Sequence, residues 1–255
     1  MPLHPVANCV CTIALAWQVF ADAPVTLAAN RDELYDRPAE PPKLRDWERP
    51  VIAPKDRKAA GTWLGYNNAG LFVIISNRWD GRTVPDARSR GLLVRDALAH
   101  EDAESAVRFV ERELDTNAYE GFHLLAVDRT AALLVEFDGT RRIRPLEPGI
   151  QIIVNVGTNG QYVVPAQRET AGKQQAQNAD RIHEELQPEP GERGEQWLER
   201  ASDVLADHEF GVCIHGDGFG TRSAVRLRLT PDDVVFEFAD GPPCETGFEP
   251  VSVSF

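Results

Sequence analysis

Long apolar runs and positive charge are both scarce in this chain of 255 residues. Even the longest apolar runs, such as residues 70–75, are short. No segment therefore predicts a membrane-spanning helix or the apolar part of a secretion signal. The 27 basic residues are outnumbered by 40 acidic ones, and the net charge of −13 would repel the phosphates of nucleic acid. We therefore expect a cytoplasmic protein with no nucleic-acid partner and no stable membrane insertion.

Lysine is rare even among the basic residues, and only positions 43, 55, 58 and 173 carry it. A surface rich in carboxylates, with arginine replacing lysine, is typical of proteins from a very salty cytoplasm. Salt screens the repulsion between the carboxylates there, and a strongly charged surface stays soluble. The composition therefore predicts a halophilic acidic protein, and an ordinary acidic protein is the alternative.

Cysteine is limited to Cys9, Cys11, Cys213 and Cys244. A chain of this length buries a core large enough to fold without disulfides or metal, and Cys9 lies too close to Cys11 for a comfortable disulfide. A metal site formed by Cys9, Cys11, Cys213 and His215 is an alternative, but Cys-x-Cys and Cys-x-His spacings on strands fit poorly around a tetrahedral ion. We expect reduced thiols, no metal and no cofactor.

Blocks of strands alternate with pairs of helices along the chain. Helices are predicted at residues 91–99, from an N-cap at Asp102, at 168–186 and at 196–206, and the proline-rich residues 37–54 are predicted to be irregular. Strands are predicted at residues 13–19, 25–29, 62–66, 71–76, 122–127, 132–137, 141–145, 150–154, 224–229 and 234–238. This order favours a layered α+β domain over βαβ units. We expect one domain over residues 11–255, preceded by a leader, residues 1–10, that is absent from or removed in the mature protein.

Cys11 opens the first predicted strand and is the candidate nucleophile. If it were the first residue of the mature protein, its α-amine, with an ordinary pKa of about 8, would lie beside its thiol and accept the thiol proton. The alternative is a small buried apolar residue in a strand. Ten residues precede Cys11 and Met1 is the only methionine, so translation starting with a GTG codon at Val10, or cleavage of the leader, is required.

Polar residues follow several other predicted strands. Within the cluster at residues 30–33, the Asp32 carboxylate is expected to hold the amine and the Arg31 guanidinium to lower the thiol pKa, the alternative being a solvated turn. The Asn77 side-chain amide can donate to a developing oxyanion, as can that of Asn155, although both are also typical turn residues. Arg222 is the candidate in the glycine-rich loop before the strand at 224–229.

These motifs together resemble the NRDE family, also called the transport and Golgi organisation family. They occur in family order between Cys11 and about residue 229. The matching segments are Cys11-Thr12-Ile13, Ala28-Ala29-Asn30-Arg31-Asp32-Glu33, Gly61-Thr62-Trp63-Leu64-Gly65, Gly70, Ser76-Asn77-Arg78 and Gly220-Thr221-Arg222-Ser223.

That family in turn resembles N-terminal-nucleophile hydrolases of the choloylglycine hydrolase and penicillin V acylase type. The resemblance implies a four-layer αββα fold and cleavage of a non-peptide amide. It implies that Cys11 is the nucleophile, Asn77 an oxyanion donor and Arg222 the site arginine. Arg31 and Asp32 would take the places of the arginine and aspartate near the thiol, with Glu33 as the alternative to Asp32. The implied binding residues are Asn30, Glu33 and Asn155.

The resemblance also leaves a second function open, because family members have been linked to haem mobilisation and to acyl-CoA or lipid metabolism. Our leading hypothesis is a hydrolase that cleaves a C–N or acyl bond of a small acylated substrate through Cys11. The alternative is a binding or carrier protein for haem, acyl-CoA or lipid that keeps the fold without turnover. Whether the protein is an enzyme stays open from the sequence.

Overall fold

A computed structural model of the protein describes residues 11–255. Fifteen strands and four α-helices form the regular structure of these residues. In chain order, the strands are β1 (Thr12–Phe20), β2 (Ala23–Leu34), β3 (Ala39–Asp46), β4 (Pro50–Asp56), β5 (Leu64–Asn67), β6 (Phe72–Asn77), β7 (Phe122–Val127), β8 (Ala132–Phe137), β9 (Arg141–Pro145), β10 (Gly149–Val154), β11 (Gly157–Thr158), β12 (Gln161–Tyr162), β13 (Phe219–Leu229), β14 (Val234–Ala239) and β15 (Glu249–Pro250). The helices are α1 (Arg90–Ala97), α2 (Ala103–Thr116), α3 (Glu169–Glu185) and α4 (Gly194–Ala206).

The strands form two sheets in which hydrogen-bonded neighbours are antiparallel. The first sheet has the order β12-β11-β10-β1-β2-β13-β14-β15, and the second has the order β3-β4-β5-β6-β7-β8-β9. In the first sheet, the N-terminal strand β1 is central, between β10 and β2. The start of the described chain is therefore fixed on both sides by backbone hydrogen bonds.

The two sheets and the helices outside them form four layers, and a cluster of apolar side chains lies between each pair of adjacent layers. One cluster fills the space between the sheets and includes Leu15 and Phe72. A second packs the outer face of the first sheet against α3 and α4, around Trp197. A third packs the outer face of the second sheet against α1 and α2, around Val110. The predicted α+β, four-layer αββα sandwich is confirmed.

Side-chain alternation along β1 places Cys11 toward the space between the sheets. Ile13 and Leu15 belong to the cluster between the sheets, whereas Ala14 and Ala16 belong to the cluster beneath the helices. Because side chains of a strand point alternately to its two faces, Cys11 shares the inner face with Ile13. The small alanines on the other face allow the helical layer to approach the sheet closely.

The proline-rich residues 37–54 were predicted to be irregular, and this prediction is wrong. They contain β3 and most of β4, which pair with each other. Proline is tolerated because β3 is the edge strand of its sheet and needs no hydrogen bonds on its outer side, and because the pairing is interrupted between Glu40 and Lys43, around Pro41 and Pro42.

The polar cluster at residues 30–33 lies within a strand, not in a turn after one. β2 continues to Leu34, five residues beyond its predicted end, and pairs with β13 along this extension. Asp32 lies opposite Thr221 and Arg31 opposite Ser223, with an irregularity in register at Arg222. Within residues 11–255, no helix is long and apolar enough to cross a membrane.

Candidate active site

A cavity of about 600 Å³ opens at the end of the inter-sheet layer where β1 begins. Both sheets and the N-terminus of α1 contribute to its wall. Its apolar wall is formed by Ile13, Ala29, Leu64, Ile74, Val225 and Phe238. Of the residues predicted from sequence to form the site, the cavity is lined by Cys11, Asn30, Arg31, Asp32, Glu33 and Asn77.

The Cys11 thiol is held against the backbone of β2. The backbone of Asp32 donates a hydrogen bond that stabilises the thiolate, and the nearby Arg31 guanidinium acts in the same direction. Burial favours the protonated thiol and is the largest effect on its pKa. The carboxylates of Asp32 and Glu33 also favour the protonated thiol. Together they raise the pKa of Cys11 to about 12, so this thiol is protonated at neutral pH when residue 10 is attached.

Asp32 is a buried carboxyl group with one satisfied oxygen. Its Oδ1 accepts a hydrogen bond of 2.6 Å from Thr221 Oγ1, while Oδ2 has no hydrogen-bond partner among the described residues. Burial raises the pKa of Asp32 well above its ordinary value, although the Thr221 hydrogen bond and Arg31 lower it. A cationic α-amine on Cys11 would supply the positive charge that this carboxylate needs to ionise.

Arg31 lies over the ring of Trp63, the residue before β5 of the facing sheet. Its guanidinium carbon is 4.0 Å from the centre of the Trp63 ring, and its Nη2 is 3.4 Å from Glu33 Oε2. Glu33 is also 3.6 Å from Arg37, which pairs with Asp56 at 2.5 Å. The cation–π contact and the chain of ion pairs fix the guanidinium at the cavity wall.

The segment carrying Trp63 is held by a close backbone approach to α1. A Cβ added to Gly61 would lie 2.2 Å from the carbonyl carbon of Gly91, and the Thr62 amide donates to the Gly91 carbonyl at 3.0 Å. Only glycine fits at position 61, which gives a physical reason for the Gly61-Thr62-Trp63 motif.

Asn77 ends β6 of the second sheet and lines the cavity. The side chain of Asn155, fully buried, donates to the Asn77 carbonyl at 2.6 Å, and its own oxygen accepts from Gln175. The next residue, Arg78, is buried and donates to His123 Nε2 at 2.7 Å, with Glu136 at 3.3 Å. Asn155 and Arg78 thus fix the backbone on both sides of the Asn77 side chain.

Two of the predicted site residues do not line the cavity. Asn155 supports Asn77 from behind, as a positioning residue. Arg222 lies at the irregularity in β13, and only the residues that follow it, Ser223, Ala224 and Val225, reach the wall. Asn30 lines the cavity, but its side-chain nitrogen donates to the carbonyls of Leu205 and Val212 at 2.8 Å and so holds α4. The roles assigned to these residues stay predictions.

Sequence reasoning missed the cationic part of the wall. Arg37, Lys58, Arg88 and Arg90 line the cavity together with Arg31. Arg88 is itself paired with Asp96 at 2.6 Å and Glu113 at 2.9 Å. These five cations lie beside the carboxyl groups of Asp32, Glu33, Asp56 and Glu120, so the cavity is nearly balanced in charge although the chain carries a net charge of −13. The signal available in the sequence was the run Arg88-Ser89-Arg90 at the predicted start of a helix.

The fold is that of the N-terminal-nucleophile hydrolases. A solved structure similar to this one is the Caenorhabditis elegans N-acylethanolamine-hydrolyzing acid amidase ortholog, with a TM-score of 0.53 and 13% sequence identity over 85% of this chain and 92% of that one. The chain belongs to the Transport and Golgi organisation 2 family, whose model matches residues 10–225. The family resemblance seen in the motifs is confirmed.

Curated relatives resemble the chain over a shorter stretch. The Transport and Golgi organization 2 homolog of Mus musculus is 37% identical over 108 residues, which are 40% of this chain and 38% of the relative. The human Transport and Golgi organization protein 2 homolog is 34% identical over 112 residues, which are 42% of this chain and 39% of the relative. The matches thus span about two fifths of the curated relatives' length.

Proposed function

We propose that this protein is an N-terminal-nucleophile-type hydrolase that cleaves the C–N or acyl bond of a small acylated compound, with Cys11 as nucleophile. The observation that carries the proposal is the placement of the Cys11 thiol. It lies at the start of the central strand, in the wall of a cavity, against an Asp32 carboxyl group whose second oxygen has no partner among the described residues.

The proposed reaction uses the α-amine of Cys11 as base, in a mature chain that begins at this residue. The amine takes the thiol proton, and the sulfur attacks the substrate carbonyl carbon to form a C–S bond. The carbonyl oxygen becomes an oxyanion, which the side-chain amide of Asn77 stabilises. The resulting ammonium gives its proton to the leaving nitrogen as the C–N bond breaks, and water then hydrolyses the thioester to release the acid and restore the thiol.

Electrostatics supports the need for a free amine. With residue 10 attached, the nitrogen of Cys11 is an amide without basicity, and burial with the neighbouring carboxylates raises the pKa of the thiol to about 12. A free amine would add a base beside the sulfur, and its protonated form would pair with Asp32. The chain with the leader is therefore expected to be inactive.

The cavity wall supports an acyl group as the part of the substrate that is bound. The apolar side chains between the sheets form a wall for a hydrocarbon chain. The cations on the α1 side of the cavity, Arg88 and Arg90, would contact a polar or anionic end of the compound. The same wall supports the second candidate, a non-catalytic carrier of acyl-CoA, lipid or haem. For haem, Cys11 is the only thiol or imidazole among the described lining residues.

The test compares the full chain with a chain whose first residue is Cys11, made by cleaving a fusion partner. Both are incubated with fluorogenic amides and thioesters of short to long acyl chains, and acid-quenched samples are analysed for an acyl adduct by intact mass. We expect turnover and a thioester on Cys11 in the shorter chain alone, abolished in Cys11→Ala. Asn77→Ala should lower kcat by about 100- to 1000-fold, while Asn68→Ala, at an exposed turn, should not.

Absence of any adduct or turnover in the chain that begins at Cys11 would overturn the proposal. The same preparations would then be titrated with fatty acid, acyl-CoA and haem. Saturable binding to both the full and the shortened chain, unaffected by Cys11→Ala, would establish the carrier function instead.

A further inference from the structure

Two cysteines and two histidines converge on the surface of the molecule, outside the cavity. His208, Cys213 and His215 lie in the loop between α4 and β13, and Cys244 lies in the loop after β14. The ligand atoms of His208, His215 and Cys244 all lie within 4.8 Å of one another. Cys213 is buried beside them, and its sulfur completes a group of four side chains that are commonly zinc ligands.

Three of the six separations between these atoms, those among Cys213, His215 and Cys244, fit a common tetrahedral ion. Cys213 Sγ is 3.4 Å from Cys244 Sγ and 3.8 Å from His215 Nε2, and His215 Nε2 is 3.1 Å from Cys244 Sγ. In a tetrahedral site with Zn–S bonds of about 2.3 Å and Zn–N bonds of about 2.0 Å, ligand atoms are separated by roughly 3.3 to 3.8 Å. The three measured separations therefore match an ion held between them to within a few tenths of an ångström.

In each of the two histidine rings, one nitrogen faces an oxygen of the protein and the other nitrogen is left for a metal. His208 Nδ1 lies 3.1 Å from the carbonyl oxygen of Cys213, so this nitrogen donates to the backbone and Nε2 is left to bind a metal. His215 turns Nε2 toward the two sulfurs and Nδ1 toward the Glu245 carboxylate, 4.0 Å away. In metal sites, the ring nitrogen that does not bind the metal usually donates to a carbonyl or carboxylate in this way.

We propose that His208, Cys213, His215 and Cys244 bind one zinc ion with a structural role. Four protein ligands leave no open position for a substrate or water, which is the property of structural rather than catalytic zinc sites. Binding converts two thiols to thiolates and releases two protons. The proposal does not depend on the function of the cavity, because none of the four residues lines it.

The loop that carries three of the ligands is connected to the strand behind Cys11. The Val212 carbonyl accepts from Asn30, and the Ile214 amide donates to Thr221 Oγ1, which in turn donates to Asp32. A metal ion would join this loop to the segment after β14. It would thereby hold Thr221 and Asp32 in the positions found beside Cys11.

The sequence did not predict this site because its ligands come from segments 29 residues apart. The sequence pattern groups Cys213 and His215 with Cys9 and Cys11, and it predicts strand positions for them. In the structure they lie in an irregular loop, which turns both side chains toward Cys244. Cys11 instead lies at the cavity, and Cys9 lies outside the described residues.

The test measures zinc in the full chain, purified without an affinity tag or chelator under reducing conditions. We expect about one zinc per chain by elemental mass spectrometry. After zinc removal, titration with Co²⁺ should give the visible bands of a tetrahedral site and a thiolate-to-cobalt band in the near ultraviolet. Cys244→Ser and His215→Gln should each lower the affinity for Co²⁺ by more than the roughly 10- to 100-fold typical of changes around the ligands. The matched controls Cys11→Ala and His183→Gln should retain it.

Two results would overturn the proposal. One is wild-type protein that holds no zinc and gives the same Co²⁺ spectrum as Cys244→Ser. The other is reduced, zinc-free wild-type protein that binds Co²⁺ without a thiolate-to-cobalt band. Circular dichroism of each variant confirms that the exposed substitutions leave the fold intact.

Discussion

At the scale of single residues, burial suppresses the charge of the two groups at the centre of the site. The Cys11 thiol and the Asp32 carboxyl both have raised pKa values, and burial is the largest cause for each. His123, buried behind Asn77, shows the reverse for a base, because burial and Arg78 lower its pKa to about 3. These neutral groups make the electrostatics of the site sensitive to one additional charge.

Replacing Asp32 by asparagine should stabilise the full chain at neutral pH. The folded-state pKa of Asp32 is raised, so its contribution to stability is fully present below its ordinary pKa of 3.8 and is lost as the pH rises through the raised value. The introduced amide would keep an oxygen acceptor for Thr221 without this loss. We expect Asp32→Asn to increase the free energy of unfolding at pH 7 by about 1 kcal/mol or more.

Urea unfolding of both proteins at pH 4 and pH 7 measures the difference for Asp32→Asn. The gain should be larger at pH 7 than at pH 4. An equal or smaller gain at pH 7 would show that Asp32 is ionised at little cost in the folded chain.

His123 should make the protein sensitive to acid. Its pKa is lowered from 6.5 to about 3, so between these values the unfolded chain binds a proton that the folded chain does not. Stability is therefore lost as the pH falls below 6.5, by up to about 1.4 kcal/mol per pH unit for this group. His123→Gln, which keeps an acceptor for Arg78, should remove this part of the loss.

Carboxylates with lowered pKa values, such as Asp56 and Asp128, also destabilise the fold in acid. They are shared by both proteins, so the difference in unfolding free energy between wild type and His123→Gln isolates the histidine. That difference should change in favour of the variant between pH 6.5 and 4.5. A constant difference over this range would mean that His123 is protonated in the fold.

At the scale of elements, the cavity depends on how closely α1 approaches the loop before β5. The approach requires glycine at position 61, where a Cβ would lie 2.2 Å from the Gly91 carbonyl carbon. Because the obstacle is backbone, a side-chain movement cannot relieve it.

Gly61→Ala should therefore destabilise the fold by about 1 to 3 kcal/mol, the usual cost of overpacking. The matched control is Gly247→Ala, since a Cβ at Gly247 would meet nothing within 4 Å and its backbone does not require glycine. Thermal unfolding of the three proteins checks the prediction. Equal melting temperatures for Gly61→Ala and Gly247→Ala would contradict the packing described here.

At the scale of the whole molecule, the layered fold was predictable because most elements have strong local signals. The Asp102 side chain accepts from the Ser105 amide at 2.7 Å and begins α2 where the sequence predicts it. The sequence does not predict β3 or the end of β2, because what makes each of them a strand is non-local. β3 is the edge strand of its sheet, and the end of β2 pairs with β13. The motifs contain Cys11, Arg31, Asp32 and Asn77, which line one cavity. The further arginines and the lysine of its wall are placed there by tertiary packing, and the only local signal for any of them is the run from Arg88 to Arg90.

The charge of the whole chain yields a prediction about salt. With a net charge of −13 and few lysines, repulsion between carboxylates is expected to destabilise the fold at low ionic strength. If the halophilic interpretation is correct, the melting temperature should rise continuously as KCl is increased from roughly 0.1 to about 2 M, well beyond the range where Debye screening is complete. A melting temperature that reaches its plateau at a few tenths molar KCl would indicate an ordinary acidic protein.

The central claim is that Cys11 becomes a nucleophile when its own amine is free. The most direct measurement is the rate at which iodoacetamide alkylates Cys11 at pH 7 in the full chain and in the chain that begins at Cys11. Fragmentation of the labelled peptide distinguishes Cys11 from Cys9, which lies in the same tryptic peptide of the full chain. Both chains are first freed of zinc, and the exposed Cys244 in the same samples then reports any general change in accessibility. We predict a reaction of Cys11 that is faster by about 10-fold or more in the shorter chain, because a base beside the thiol raises its thiolate fraction. Equal rates in the two chains would contradict the claim.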